Sequence, residues 1–254
     1  MIESNSNRDI QNIKQKSPNK NVRSPESIDR IATGNRDLDM FFERGYDSDI
    51  ITTIYGPAGC GKTTLCMMAG IEVAKKGKKV IYIDTEASFS VERFKQIVGE
   101  GFREILQNFL FLRPFDFKQQ QKAFDKLRLL VDDDVGLIVV DTISILYRLE
   151  MGQSDDIYSV NKKLGQQLSF LSEISRRKKI PVIIGNQVYS NFEVKNTVNM
   201  VGGDILKYGS KTLIELQSYK DGLRKLILRK SRSMPEGKVF VFRLIANGIE
   251  EVDM

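Results

Sequence analysis

Between a β-branched run at residues 50–56 (IITTIYG) and a segment of helical composition at 62–76, the chain reads Gly56-Pro57-Ala58-Gly59-Cys60-Gly61-Lys62-Thr63-Thr64. No other stretch limits the fold so tightly. Glycines at this spacing let the backbone wrap into a tight concave loop with its N–H groups pointing inward, a cradle for phosphate oxygens. A helix beginning near Lys62 adds the positive end of its dipole. Lys62 supplies a mobile positive charge for the β- and γ-phosphates, and the Thr63 hydroxyl a ligand for Mg²⁺. The pattern G-x-x-x-x-G-K-[ST] has this meaning between a strand and a helix, which is its context here. The expected ligand is ATP with Mg²⁺, bound through Gly56, Pro57, Ala58, Gly59, Cys60, Gly61, Lys62, Thr63 and Thr64.

The rest of the chain repeats the strand–helix alternation. Apolar runs at 78–86, 109–112, 136–141 and 181–187 read as strands, and helical patterns lie at 90–99 and from the Asp116 cap to Val131. Ile157, Val160, Leu164, Leu168, Leu171 and Ile174 recur at helical spacing. Nearly continuous apolar strands alternating with helices imply a mainly parallel sheet covered on both faces. Runs at 212–216, 223–230 and 238–245 follow one another across short turns, an antiparallel extension of that sheet. Residues 1–24 are rich in Asn, Ser, Lys and Gln, so a disordered polar tail is expected there, with one α/β core over 25–254.

Composition narrows the chemistry. There is no histidine, which excludes His-based triads and His-ligated metals. Two cysteines, Cys60 and Cys66, have no zinc spacing and read as reduced structural thiols. No apolar run is long enough to span a bilayer and the N-terminus is polar, so a cytoplasmic protein is expected. The net charge is +6, and residues 205–238 alone hold nine Lys/Arg against three Asp/Glu. That excess suits either a solvated hairpin or a basic surface for nucleic acid.

Carboxylates and amides must then do any hydrolytic work. Asp141 ends the strand at 136–141, on the side of a parallel sheet where ligands bind, and is the expected Mg²⁺ holder. Glu86 ends the strand at 78–86 beside the phosphate loop and is the expected base for an attacking water. The alternative for Glu86 is a helix N-cap acid, a task that Ser88 or Ser90 can also fill. Gln187 ends the strand at 181–187, where an amide can bond a γ-phosphate and release it after hydrolysis.

The order GPAGCGKTT, IYIDTEASFSVERF, LIVVDTISILYR, IIGNQV, VGGD resembles the ATPase core of the RecA-type recombinases, above all their archaeal and eukaryotic branch. The likeness runs from about residue 28 to 251. It implies a RecA-like P-loop core, with Glu86 as catalytic glutamate, Asp141 as Walker B aspartate and Arg93 packing on the adenine. It also implies that Gln187 reports nucleotide state to a DNA-binding loop. The DNA loops would fall at 148–156 and 188–203, the second containing Tyr189, Phe192 and Lys195. Lys230 and Arg232 lie where relatives place cations that reach a neighbour's γ-phosphate. Tyr208 stands where the family usually has a histidine.

The chain departs from a full recombinase in two ways. Only a polar tail precedes the core, where a helix-hairpin-helix domain is usual. No Phe is followed three residues later by Ala, the anchor by which such proteins polymerise. These losses point to a short paralogue: a DNA-binding, weakly hydrolysing accessory of recombination and repair. The implied partners are single-stranded or branched DNA, the main RadA-type recombinase and a Holliday junction resolvase. The alternatives are an autonomous strand-exchange recombinase and a KaiC-like signalling ATPase.

Overall fold

The structure is a computed structural model and describes residues 29–190 and 198–253. The expected tail at 1–24 lies outside the described residues, as do Phe192 and Lys195. A short ribbon, β1 (Arg30–Ile31) with β2 (Tyr46–Asp47), encloses α1 (Arg36–Phe41). The Rossmann-like alternation follows: β3 (Ile51–Tyr55), α2 (Lys62–Lys75), β4 (Lys79–Asp84), α3 (Val91–Val98), α4 (Phe102–Leu106), β5 (Phe109–Leu112), α5 (Phe117–Leu130) and β6 (Val135–Asp141). Next come α6 (Ile145–Gln153), α7 (Ile157–Lys178), β7 (Val182–Asn186), β8 (Val188–Ser190), β9 (Val198–Met200) and α8 (Gly203–Gly209). The chain closes with β10 (Thr212–Ser218), β11 (Arg224–Lys230), β12 (Val239–Ile245) and β13 (Gly248–Glu251).

A nine-stranded sheet in the order β13-β12-β11-β10-β3-β7-β6-β4-β5 organises all of this. Strands β10, β3, β7, β6, β4 and β5 run parallel, and β10 to β13 are antiparallel. The expected antiparallel extension is therefore present, with one refinement. The 212–216 run is the last parallel strand as well as the first antiparallel one, because α8 returns the chain to the same end of the sheet. A fourth strand, β13, follows the three expected.

Strand alternation explains why these segments are apolar throughout. In β6, Leu137 and Val139 enter the core under α1–α4, while Ile138 and Val140 enter the core under α5–α8. In β4, Val80 and Tyr82 take the first side and Ile81 and Ile83 the second. Both faces of each strand are buried, so no polar face exists. Asp116 caps α5 by accepting from Gln119 N at 2.6 Å, and Asp156 caps α7 by accepting from Ser159 N at 2.9 Å. Val160, Leu164, Leu168, Leu171 and Ile174 form the buried stripe of α7 as their spacing predicts. Ile157, first of that series, is instead half exposed, in the opening turn of α7.

Two further expectations need correction. Residues 148–156 were expected as a loop, but 148–153 complete α6 and only 154–156 connect to α7. Packing overrides the polar composition there: Leu146 and Tyr147 are buried, and the Tyr147 hydroxyl donates to Asn161 Oδ1 at 2.6 Å. The basic residues of 205–238 do not form one patch either. Strand β11 runs the height of the sheet, so Arg224 and Lys225 lie near the phosphate loop while Lys230 and Arg232 lie at the opposite end.

Candidate functional site

The site is built where β3, β4, β6 and β7 end together. The phosphate loop leaves β3 at Gly56, and positive φ at Gly59 (72°) and Gly61 (107°) turns it into the first turn of α2. Any side chain at Gly56 would collide with the Leu216 carbonyl of the adjoining β10. Lys62 Nζ donates to Gly56 O (2.9 Å) and Pro57 O (2.8 Å), so its ammonium sits inside the loop's own curve. The Cys60 thiol is buried, donates to Pro57 O at 2.8 Å, and braces the loop from within. Burial pushes the Cys60 thiol pKa up, which keeps it protonated and unreactive.

Asp141 lies at the end of β6, 1% exposed. Tyr82 donates its hydroxyl to Asp141 Oδ2 at 2.8 Å, and the Ser88 hydroxyl lies 3.4 Å from both Asp141 Oδ2 and Thr63 Oγ1. Desolvation raises the Asp141 carboxyl pKa, against the opposing hydrogen bonds of Thr63 and Tyr82, and the negative charges of Glu86 and Asp84 raise it further. Asp141 Oδ1 is buried against Gly185 and has no hydrogen-bond partner among the described residues. The other oxygen, Oδ2, lies beside the Ser88 hydroxyl that reaches Thr63 at the start of α2, and a carboxylate oxygen next to a hydroxyl at a phosphate loop suits a hydrated divalent cation. Thr63 and Asp141 therefore fit Mg²⁺. Among the described residues no cluster of three His, Cys, Asp or Glu exists, so most of the remaining coordination would come from phosphate and water.

Glu86 follows β4, and its Oε1 accepts from Thr142 Oγ1 (2.7 Å) and from Gln187 Nε2 (2.8 Å). The helix-cap alternative for Glu86 does not apply, because Ser90 caps α3 by accepting from Arg93 N at 3.1 Å. Gln187 in turn opens the β8–β9 ribbon, with Ser144 Oγ accepting from Gln187 N (3.2 Å) and Val201 N donating to Gln187 O (3.0 Å). The base candidate, the amide sensor candidate and the ribbon are thus joined by direct hydrogen bonds. Tyr189 on that ribbon is 48% exposed.

Arg93 is held by the C-terminal hairpin: its guanidinium donates to Ile245 O (2.7 Å), Ala246 O (2.9 Å) and Gly248 O (3.0 Å). Leu244 of the same hairpin stands over Gly61, so the hairpin that fixes the plane of Arg93 borders the loop. Lys230 and Arg232 are not brought to this site. Lys230 Nζ donates to Lys207 O and Ser210 O at 2.9 and 2.8 Å, and Arg232 pairs with Asp49 (2.7 Å) and Asp47 (3.1 Å), at the far end of the sheet. Tyr208, on α8, is exposed near that far end. Sequence reasoning passed over Tyr82 and Thr142, and considered Ser88 only as a cap. Tyr82 was hidden as one more strand residue; Thr142, directly after Asp141, and Ser88, two residues beyond Glu86, were legible by position.

These features define a RecA-like P-loop core, a fold whose members generally bind ATP with Mg²⁺. The chain belongs to the Rad51 family, whose model matches residues 24–252. It is similar to the DNA repair and recombination protein RadB of Methanococcoides burtonii, 37% identical over 221 residues that span 87% of this chain and 97% of that protein. It is equally similar to the RadB of Thermococcus sibiricus, 37% identical over 226 residues, 88% of this chain and 96% of that one. A solved structure described as the crystal structure of the RadB recombinase superposes with a TM-score of 0.75 at 36% identity, covering 88% of this chain and all of the other. No helix among the described residues is long and apolar enough to cross a membrane.

Proposed function

We propose that this chain is an ATP- and DNA-binding accessory protein of homologous recombination and DNA repair, with weak ATP hydrolysis. In this reading it assists the cell's main recombinase and the processing of Holliday junctions. Its similarity to proteins named for DNA repair and recombination supports the setting. The observation that carries the mechanism is the hydrogen bond from Gln187 to Glu86, which ties the base to the root of a ribbon with an exposed aromatic ring.

Lys62 moves its ammonium from the loop carbonyls to the phosphates, and the loop N–H groups bind the phosphate oxygens. Thr63 and Asp141 would hold Mg²⁺, which would supply positive charge to offset that of the phosphates. Glu86 orients a water and takes its proton. Gln187 shifts between Glu86 and the γ-phosphate, and so changes the ribbon as hydrolysis proceeds. Arg93 offers a fixed planar face to the base. Tyr189 stacks on an unpaired nucleobase, and Lys195 contacts phosphate.

The accessory role draws support from the edge of the sheet. Strand β5 is the last of the nine, and among the described residues no further strand pairs with it, so an extended segment of another protein can add there. The chain would then accept the anchor of a full recombinase without extending a filament of its own. Electron microscopy of the purified protein with single-stranded DNA and a non-hydrolysable ATP analogue tests this. Short particles, with measurable binding of a Phe-x-x-Ala peptide, are expected; long regular helical filaments would restore the strand-exchange reading.

A further inference from the structure

A carboxylate that the nucleotide chemistry does not use lies beneath the ribbon. Glu215 is 5% exposed within β10, where a doubly covered strand would ordinarily carry an apolar residue. A buried carboxylate persists only when its oxygens are satisfied. Glu215 Oε2 accepts from Arg229 Nε at 2.7 Å and from the Tyr55 hydroxyl at 3.3 Å, and Oε1 accepts from Gln217 Nε2. Tyr55 and Glu215 are register partners in the parallel β3–β10 pair, so they leave the same face of the sheet. Arg229 reaches them through a bulge. Leu213 opposes Lys230 and Ile214 opposes Leu228, which leaves Arg229 outside the ladder and re-aimed.

Tyr55 has two further attachments. Its backbone continues into Gly56, the first residue of the phosphate loop, which abuts the carbonyl of Leu216 next to Glu215. Tyr55 forms one buried cluster with Met200 and Leu213, against which Val188 packs, and Val188 and Met200 are the register partners at the foot of the β8–β9 ribbon. One side chain therefore begins at the phosphate loop, joins the cluster at the foot of the ribbon, and is held at its hydroxyl by β10 and β11. The Lys62 ammonium now bonds the carbonyls of Gly56 and Pro57. Drawing it toward a phosphate frees those carbonyls and lets residue 56, and Tyr55 before it, readjust.

We propose that Tyr55, positioned by Glu215 and Arg229, transmits phosphate-loop occupancy to the β8–β9 ribbon by a route separate from Glu86 and Gln187. This rests on the reading of the loop as an ATP site. Tyr55 is a positioning residue, since it touches no reacting atom. Its ring and its hydroxyl have separable roles: the ring belongs to the cluster at the foot of the ribbon, and the hydroxyl fixes where the ring sits.

The test is hydrogen–deuterium exchange of the full chain, with and without adenosine 5′-(β,γ-imido)triphosphate and Mg²⁺, on the parent, Tyr55→Phe, Glu215→Gln and Gln187→Ala. In the parent, nucleotide should slow exchange at the β8 and β9 amides by about 5-fold or more, the lower range of ordinary coupling between sites. Tyr55→Phe keeps the ring and the fold. It should bind the analogue within about threefold of the parent yet lose most of the ribbon response. Glu215→Gln should behave alike, and Tyr55→Phe with Gln187→Ala should abolish what either leaves. A purely structural network would lower thermal stability and leave the response intact. Retention of the parent's response in both Tyr55→Phe and Glu215→Gln overturns the proposal, as does a parent ribbon that ignores bound nucleotide. A parent that binds no nucleotide in the same titration overturns the ATP reading instead, so the two failures are told apart.

Discussion

Replacing Glu86 by Gln isolates the chemistry from the architecture. Both hydrogen bonds to Glu86 converge on one oxygen, from Thr142 Oγ1 at 2.7 Å and Gln187 Nε2 at 2.8 Å. An amide can present its own oxygen to the same two donors and turn its NH₂ outward, so position and packing are kept. Only basicity is lost. A positioned base is worth about 10²–10⁴ in rate, or about 2.7–5.4 kcal/mol at roughly 1.36 kcal/mol per decade. ATP affinity should hold, because Glu86 lies across from the phosphate loop and is not part of it. Phosphate release at saturating ATP, beside an equilibrium nucleotide titration, measures the two separately. Hydrolysis within about threefold of the parent, less than 1 kcal/mol of barrier, would refute Glu86 as the base. A loss of ATP binding equal to the loss of rate would refute the claim that the amide preserves the site.

Other substitutions probe the remaining parts. Lys62→Ala should remove tight ATP binding, read by the same titration, because the phosphates lose their only cation within the loop. Gly185→Ala would place a Cβ 2.7 Å from Asp141 Oδ1; it should cost about 1–3 kcal/mol in thermal unfolding and weaken the Mg²⁺ dependence of ATP binding. Unchanged Mg²⁺ dependence would remove Asp141 from the metal site. Tyr189→Ala should weaken single-stranded DNA binding by about 1–3 kcal/mol and duplex binding far less, in a fluorescence-anisotropy titration. Equal losses on both would deny base stacking.

Much of this site was legible because a parallel sheet makes position along a strand meaningful. Asp141 at the end of β6, Glu86 after β4 and Gln187 after β7 could be read as neighbours from three separate stretches, since those strands end at one edge. The phosphate loop announced itself through glycines needed for positive φ. Helix caps at Asp116 and Asp156 are local in the same way. What composition could not decide was whether a polar stretch is solvent or structure. Residues 148–153 are polar enough for a loop, yet Leu146 and Tyr147 fix the start of a helix against α5 and α7, and the polar residues follow as its outer face.

The least legible features depend on contacts remote in sequence. Arg93 resembles an adenine-packing arginine in its local motif, but its plane is set by carbonyls about 150 residues later, on a hairpin whose last strand no simple alternation revealed. The Glu215 cluster is harder still. Glu215 lies in TLIELQS, within the run expected as part of the antiparallel extension. It is buried because β10 is parallel to β3 on one side, which sets it against Tyr55, and bulged against β11 on the other, which supplies Arg229. A carboxylate can sit there only if the parallel partner offers a hydroxyl and the bulge offers a cation. The residue therefore carries a condition on three strands at once, and those three strands flank the start of the phosphate loop. That is why the nucleotide residues could be found by motif, whereas the residues tying them to the ribbon emerge only from the register of the sheet.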